Sequence, residues 1–125
     1  MASELRVNTL KDASGNNSIA TQYVAEGSNK QWVRFSGTSM SVADSFNTSS
    51  VTDNGTGDYS PVLTSSMSSE NYSPLYTSAQ YHELMGNNGG TTGTLASGYK
   101  ITIRDSSNSA ADTGRVSSSV LGDLA

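Results

Sequence analysis

The sequence predicts an all-β fold: an antiparallel β-sandwich or jelly-roll-like domain entered through an extended N-terminal arm. Three observations predict it. Short apolar–polar alternations recur between clusters of Gly, Asn, Asp and Ser, the spacing of strands and turns rather than of strands and helices. Ser, Thr, Asn and Gly supply 24, 13, 10 and 12 of the 125 residues, so only a thin core can be filled. Yet bulky rings recur along the chain, at Trp32, Phe35, Phe46, Tyr59, Tyr72, Tyr76, Tyr81 and Tyr99. A disordered Ser/Gly-rich tract lacks such anchors.

Residues 1–29 read as the arm and residues 30–125 as the sandwich. Glu4 to Asp12 alternates Leu5, Val7 and Thr9 against Glu4, Arg6 and Asn8, which predicts a half-buried strand. Ala13 to Asn17 supplies small, turn-tolerant residues, and Ile19 to Glu26 is mixed before the Gly27-Ser28-Asn29 breaker. Strands are then expected at Lys30–Ser36, Met40–Ser45, Ser49–Asp53, Asp58–Ser65, Tyr72–Tyr81, Gly98–Asp105 and Arg115–Leu121. Along the sixth of these, Tyr99, Ile101 and Ile103 share one face while Lys100, Thr102 and Arg104 share the other. Pro61 and Pro74 lack a ladder donor and suit strand starts or edges. Trp32, in the densest apolar strand, reads as core. One segment stays open: Thr77-x-x-Gln80 fits a capping box, with Tyr81, Leu84 and Met85 on one helical face and Gly86 as a stop.

Composition also bounds function. A net charge of −4 gives no hold on nucleic acid or an anionic membrane surface, and the seven Lys and Arg are scattered. Cysteine is absent, which removes disulfide and thiolate-metal frameworks. No apolar run reaches the length of a bilayer span, and no signal-peptide core follows Met1. Membrane insertion is therefore not expected, and assembly in a cytoplasm is. Four Asn-x-Ser/Thr triplets, at Asn16, Asn47, Asn54 and Asn71, are what so much Ser and Thr yields without selection.

Chemistry finds few handholds. His82 is the single histidine, so no metal centre and no cofactor is expected, and Glu83 beside it on a strand would point to the opposite face. Ser is too abundant for a Ser-His-Asp reading to discriminate, and no Gly-x-Ser-x-Gly occurs. The run Asp53 to Asp58 fails the EF-hand spacing and reads as a hairpin turn on Asn54-Gly55. The Gly86–Thr94 loop has many glycines but no Lys, so it is not a phosphate cradle. No enzyme activity is expected. The aromatic residues offer the alternative, because Tyr rings beside a polar loop can stack on sugars. Tyr76 and Tyr81, with Asn87, Asn88 and Thr91 of the loop, are the candidate receptor-facing residues.

Three stretches carry a resemblance: Trp32-Val33-x-Phe35-x-Gly37 followed by Ser45-Phe46-Asn47, then VTDNGTGDY over Val51–Tyr59, flanked by ELRVNTLKDASGN from Glu4 and VLGDLA from Val120. Together they resemble a module of tailed-bacteriophage tail-fibre and virion fibre proteins. The resemblance implies a virion structural protein, a short tail-fibre-like component forming a homotrimer, its arm meeting other virion proteins. It favours a strand over a helix at Thr77. Phage fibres of this style often carry a receptor-binding tip beyond the module, whereas this sequence stops after VLGDLA. Two alternatives are a host-attachment domain binding a surface glycan, and a capsid decoration or head-fibre protein. The thin core leads independently to self-association, since a marginal core is commonly completed by a second copy.

Overall fold

The computed structural model describes residues 3–80, 82–85 and 93–125, with 82–85 described as backbone. Strands come in the order β1 (Thr9–Lys11), β2 (Ser18–Ala20), β3 (Asn29–Ser36), β4 (Ser41–Phe46), β5 (Thr48–Gly55), β6 (Asp58–Leu63), β7 (Ser73–Ser78), β8 (His82–Met85), β9 (Thr94–Leu95), β10 (Gly98–Tyr99), β11 (Ile101–Arg104) and β12 (Val116–Leu121). A short helix, α1 (Thr21–Gly27), follows β2. The chain is thus mostly β, and every sheet is antiparallel.

One sheet has four strands in the order β4-β3-β12-β7; the second runs β8-β11-β6-β10-β9, with β5 also pairing β6. A sharp corner at Asn47 moves the chain between them. Asn47 sits between β4 and β5 with φ +51°, a left-handed conformation that Asn tolerates. Its side chain donates to the carbonyls of Lys30 (3.0 Å) and Ser65 (3.2 Å) and accepts from the Ser65 amide (2.7 Å). The corner is therefore held by side-chain bonds to the start of β3 and to the segment after β6.

Both sheets contribute to one hydrophobic cluster. Val33, Phe35, Val116 and Val120 come from the four-stranded sheet; Tyr59, Leu63, Tyr99, Ile101 and Ile103 come from the other; Met67 joins from the segment after β6. Phe35 meets Tyr59 edge-on, with ring centroids 5.2 Å apart, a geometry that suits the ring quadrupoles. The Tyr99 hydroxyl crosses between sheets, 2.9 Å from Gln31 Oε1 and 2.6 Å from Ser118 Oγ. Gln31 is fully buried, and its amide donates onward to Thr48 Oγ1 (2.7 Å). A buried amide is tolerated when both its ends are bonded, as here.

The Asp53–Asp58 reversal forms, but its tip is Thr56-Gly57 rather than Asn54-Gly55. Gly55 pairs with Asp58, and the register shifts between Asp53 and Gly55, leaving Asn54 as the extra residue of a bulge. Asn54 Nδ2 donates to Ser60 Oγ (2.7 Å) and Asp58 Oδ1 (3.2 Å). Beneath the turn, Asp112 Oδ1 accepts from both the Gly57 amide (2.7 Å) and the Tyr59 hydroxyl (2.6 Å). The Tyr59 bond, then the amide bond, hold the Asp112 carboxyl below the usual range. Burial, then the same carboxylate, push the Tyr59 phenol up.

The other strand bounds from residue 29 onward shift by a residue or two, with three larger differences. The expected strand Gly98–Asp105 is broken at Lys100, whose amide bonds to Gly93 O (2.8 Å) and whose Nζ pairs with Asp58 (2.7 Å). Pro61 is internal to β6, not at an edge. It occupies the point where the partner changes from β11, opposite Tyr59, to β10, opposite Val62, so its missing donor falls at a ladder break. The segment expected as Tyr72–Tyr81 is β7 alone, and β8 follows in the other sheet; no helix forms over the described residues from Thr77 to Met85.

Residues 3–29 are not a simple extended strand. Only Thr9–Lys11 of the expected Glu4–Asp12 strand pairs, closing a hairpin with β2, and the mixed Ile19–Glu26 stretch becomes the end of β2 and α1. The turn between the strands is tied by Asp12, which accepts from Ser14 (2.9 Å) and Asn17 (2.7 Å). No residue from 3 to 29 is buried, and Leu5, Val7, Leu10, Ile19, Tyr23 and Val24 all stand exposed.

Candidate functional site

The five sequence candidates do not form one described site. Tyr81, Asn87, Asn88 and Thr91 lie outside the described residues. Tyr76 is on β7, half-buried, and its ring packs against the core. Tyr72 packs against the core as well. Its hydroxyl lies 2.6 Å from Gly98 O and 2.8 Å from Leu95 O, and burial pushes its phenol up to about 12.

Trp32 is not core. Strand alternation places Val33 and Phe35 inward, at 1% and 2% exposure, and therefore puts Trp32 and Arg34 on the outer face. Trp32 is 36% exposed. Local apolar density hid this, because two inward residues flank it out of phase by one.

The outer face of the four-stranded sheet can be read from its register. Across the strands, Phe46, Trp32, Ser119 and Leu75 lie in one row; Asp44, Arg34, Ser117 and Thr77 lie in the next. Phe46 and Leu75 are 55% and 54% exposed, so the row presents two aromatic rings and a leucine to solvent. In these two rows β12 contributes only the serine hydroxyls of Ser117 and Ser119. A shallow groove lies between β7 and β12, lined by Leu75, Tyr76, Thr77 and Ser117–Ser119. Arg34 and Asp44 stand opposite one another on adjacent strands, so the polar row carries no net charge.

The chemistry available on this face is stacking and hydrogen bonding. Backbone pairing places His82 opposite Arg104 and Glu83 opposite Ile103. Among the described residues, no group of three His, Cys, Asp or Glu is placed to hold a metal ion. No helix among them is long and apolar enough to cross a membrane.

No protein-family model matches the chain, and no curated protein and no solved structure matches it.

The Trp32 placement has a direct energetic consequence. Trp32→Ala is expected to cost about 1–2 kcal/mol, whereas Phe35→Ala should cost about 3–5 kcal/mol, because only the second opens a cavity in the core. Urea midpoints of the two variants check this. Equal losses would put the indole back in the core.

Proposed function

We propose that the chain is a non-enzymatic virion structural protein of a tailed phage: a short tail-fibre-like component that assembles as a homotrimer. In this reading residues 30–125 are a two-sheet sandwich scaffold, and residues 1–29 are the arm that joins copies to each other and to other virion proteins. It would be made in the host cytoplasm and act on the particle.

One observation carries the reading. The N-terminal segment has six exposed large apolar side chains, and none of its described residues is buried. Its hairpin has three residues per strand, and α1 has seven residues with no side-chain cap. A lone two-stranded hairpin and a helix of this length are each marginal in water. The substantial contacts of these elements are with one another, so the apolar surface that could stabilise them needs cover from another chain. Repeated copies provide that cover with no further gene product, and the fibre-like Trp32–Tyr59 stretch supports a trimer as the number.

Sedimentation of the full chain tests it. The expected result is a trimer at micromolar concentration. The triple substitution Leu10→Ser, Ile19→Ser, Tyr23→Ser should release monomers whose sheets keep their circular dichroism. A wild-type chain that sediments as a stable monomer removes the reading.

A further inference from the structure

We infer, resting on the self-association proposed above, that Glu4–Asn8 of one copy adds as a strand to the free edge of β4 in a second copy. The four-stranded sheet of the second copy would gain one strand. The donor is a strand sequence without a strand beside it. Leu5 and Val7 alternate with Glu4, Arg6 and Asn8, the period of a half-buried strand. Yet pairing in the N-terminal hairpin starts only at Thr9, opposite Ala20. There β2 ends and the chain turns into α1, so Glu4–Val7 has no neighbouring strand among the described residues. Leu5 is 79% exposed, and Val7 is exposed with it.

A free sheet edge is a template for another chain unless it is blunted. Among the described residues the outermost strands are β4 and β7 in one sheet and β5, β8 and β9 in the other. Pro74 lies in β7 and supplies no ladder donor. Strands β8 and β9 have four and two residues, and β5 exposes no large apolar side chain. By contrast β4 has six residues with neither Pro nor Lys, and its Val42 and Phe46 stand exposed. Its blunting is limited to Asp44 and to the irregular register with β3, where Ala43 is the extra residue.

Donor and acceptor are of nearly equal length, so main-chain bonds can run along the whole edge, with side chains supplying the selection. Leu5 and Val7 are two apart and share one face of an added strand. Laid beside β4 they continue the exposed pair Phe46 and Trp32, which already lie side by side. Glu4, Arg6 and Asn8 then take the opposite face. There β4 is itself exposed from Ser41 to Asp44, so their charges stay in water. Two β4 edges are poorer partners for each other. They would gather two Asp44 carboxylates in one short ladder with no cation on either strand, whereas the donor segment brings Arg6 as well as Glu4. Donor and acceptor edges differ, so the contact is heterologous, the kind that builds rings such as a trimer.

The chain has no cysteine, so engineered thiols report without background. A chain carrying Arg6→Cys is co-expressed with a chain carrying Ser45→Cys or Ala43→Cys and then oxidised. At least one of the two pairs is expected to form a disulfide between chains. Arg6→Cys with Ser50→Cys, on the edge of β5, is the control and should form none. Val7→Pro removes a ladder donor from a segment that is unpaired within its own chain, so the body should keep its circular dichroism. In the full-length oligomer it is expected to speed hydrogen exchange of the β4 amides about tenfold. Sedimentation of the wild type separates strand addition from the oligomer itself. An oligomer that lacks either the disulfide or the Val7→Pro effect overturns the strand addition and leaves self-association standing, whereas a wild-type monomer overturns both. A disulfide that closes only within a chain carrying both Arg6→Cys and Ser45→Cys would overturn it in favour of the segment folding onto its own β4. An equal yield from the β5 control would overturn it in favour of unspecific collision.

Discussion

Tyr59→Ala is expected to remove a large part of the stability of the two-sheet body. Tyr59 is completely buried, stacks edge-on against Phe35 and anchors Asp112. Truncating a buried aromatic costs about 3–5 kcal/mol, against a total of about 5–15 kcal/mol for a domain. Tyr59→Phe separates the two contributions: it keeps the ring and drops the bond to a carboxylate, for about 1–2 kcal/mol, the lower part of the range because Asp112 faces solvent. Urea midpoints at pH 7 measure both, and a Tyr59→Ala protein as stable as Tyr59→Phe would contradict a packing role for the ring. The same groups set the pH range. Asp112 is held below its ordinary value, so its contribution is full above about pH 4 and is lost as pH falls through the folded value. The phenols move the other way. Tyr72 and Tyr99 are pushed up to about 12, chiefly by burial, and Tyr59 is pushed up also. Their contribution is full below about pH 10 and is lost as pH rises toward 12. The expected profile is a plateau between these limits, and a flat stability from pH 9 to 12 would contradict it.

Gly57→Ala is expected to be nearly as damaging, at about 3–5 kcal/mol, the sum of a strained backbone and a steric clash. Gly57 has φ +64°, where an L residue is strained by roughly 1–2 kcal/mol. A Cβ there would also collide with backbone, meeting Ile103 O and the amide and carbonyl of Ala111. The turn cannot drift away to make room. Its amide is held by Asp112, and its carbonyl accepts from the Ile103 amide at 2.7 Å. Gly55→Ala provides the internal control. It too has positive φ, but nothing lies within 4 Å of where the added methyl would sit, so only the strain should be felt. Thermal unfolding of the two variants reads the difference, and equal losses would show that crowding at Gly57 is unimportant.

The architecture was legible where alternation was clean. Val33 and Phe35, and Tyr99, Ile101 and Ile103, fall where period-two patterns put them, and the Asp53–Asp58 reversal forms with its tip two residues later than Asn54-Gly55. The helix α1 was not legible, because Thr21–Gly27 carries neither a side-chain cap nor a buried stripe to announce it. The burial of Thr102 was missed since β11 lies between β8 and β6, and a central strand is covered on more than one side. For the candidate site, density of apolar residues was the misleading signal. Phase was the informative one: once Val33 and Phe35 are placed inward, Trp32 must face out, and Arg34 with it. What no local pattern contains is the row Phe46–Trp32–Ser119–Leu75, whose members come together only through the register of four strands.

The position of β12 has a consequence for how the chain reaches its fold. Val116 pairs with Phe35, far earlier in the chain, and with Ser78 on its other side. The ribosome therefore releases β3, β4 and β7 before the strand that joins them exists. Until β12 arrives, the β3–β4 hairpin and β7 have nothing between them, and two unpaired edges lie open beside exposed Trp32 and Phe46. Closing so long a loop is entropically slow, and open edges of this kind are where chains pair with the wrong neighbour. Serine at positions 117, 118 and 119 makes the arriving strand polar and poorly sticky. The joining segment is thereby kept soluble during the interval in which mispairing is most costly.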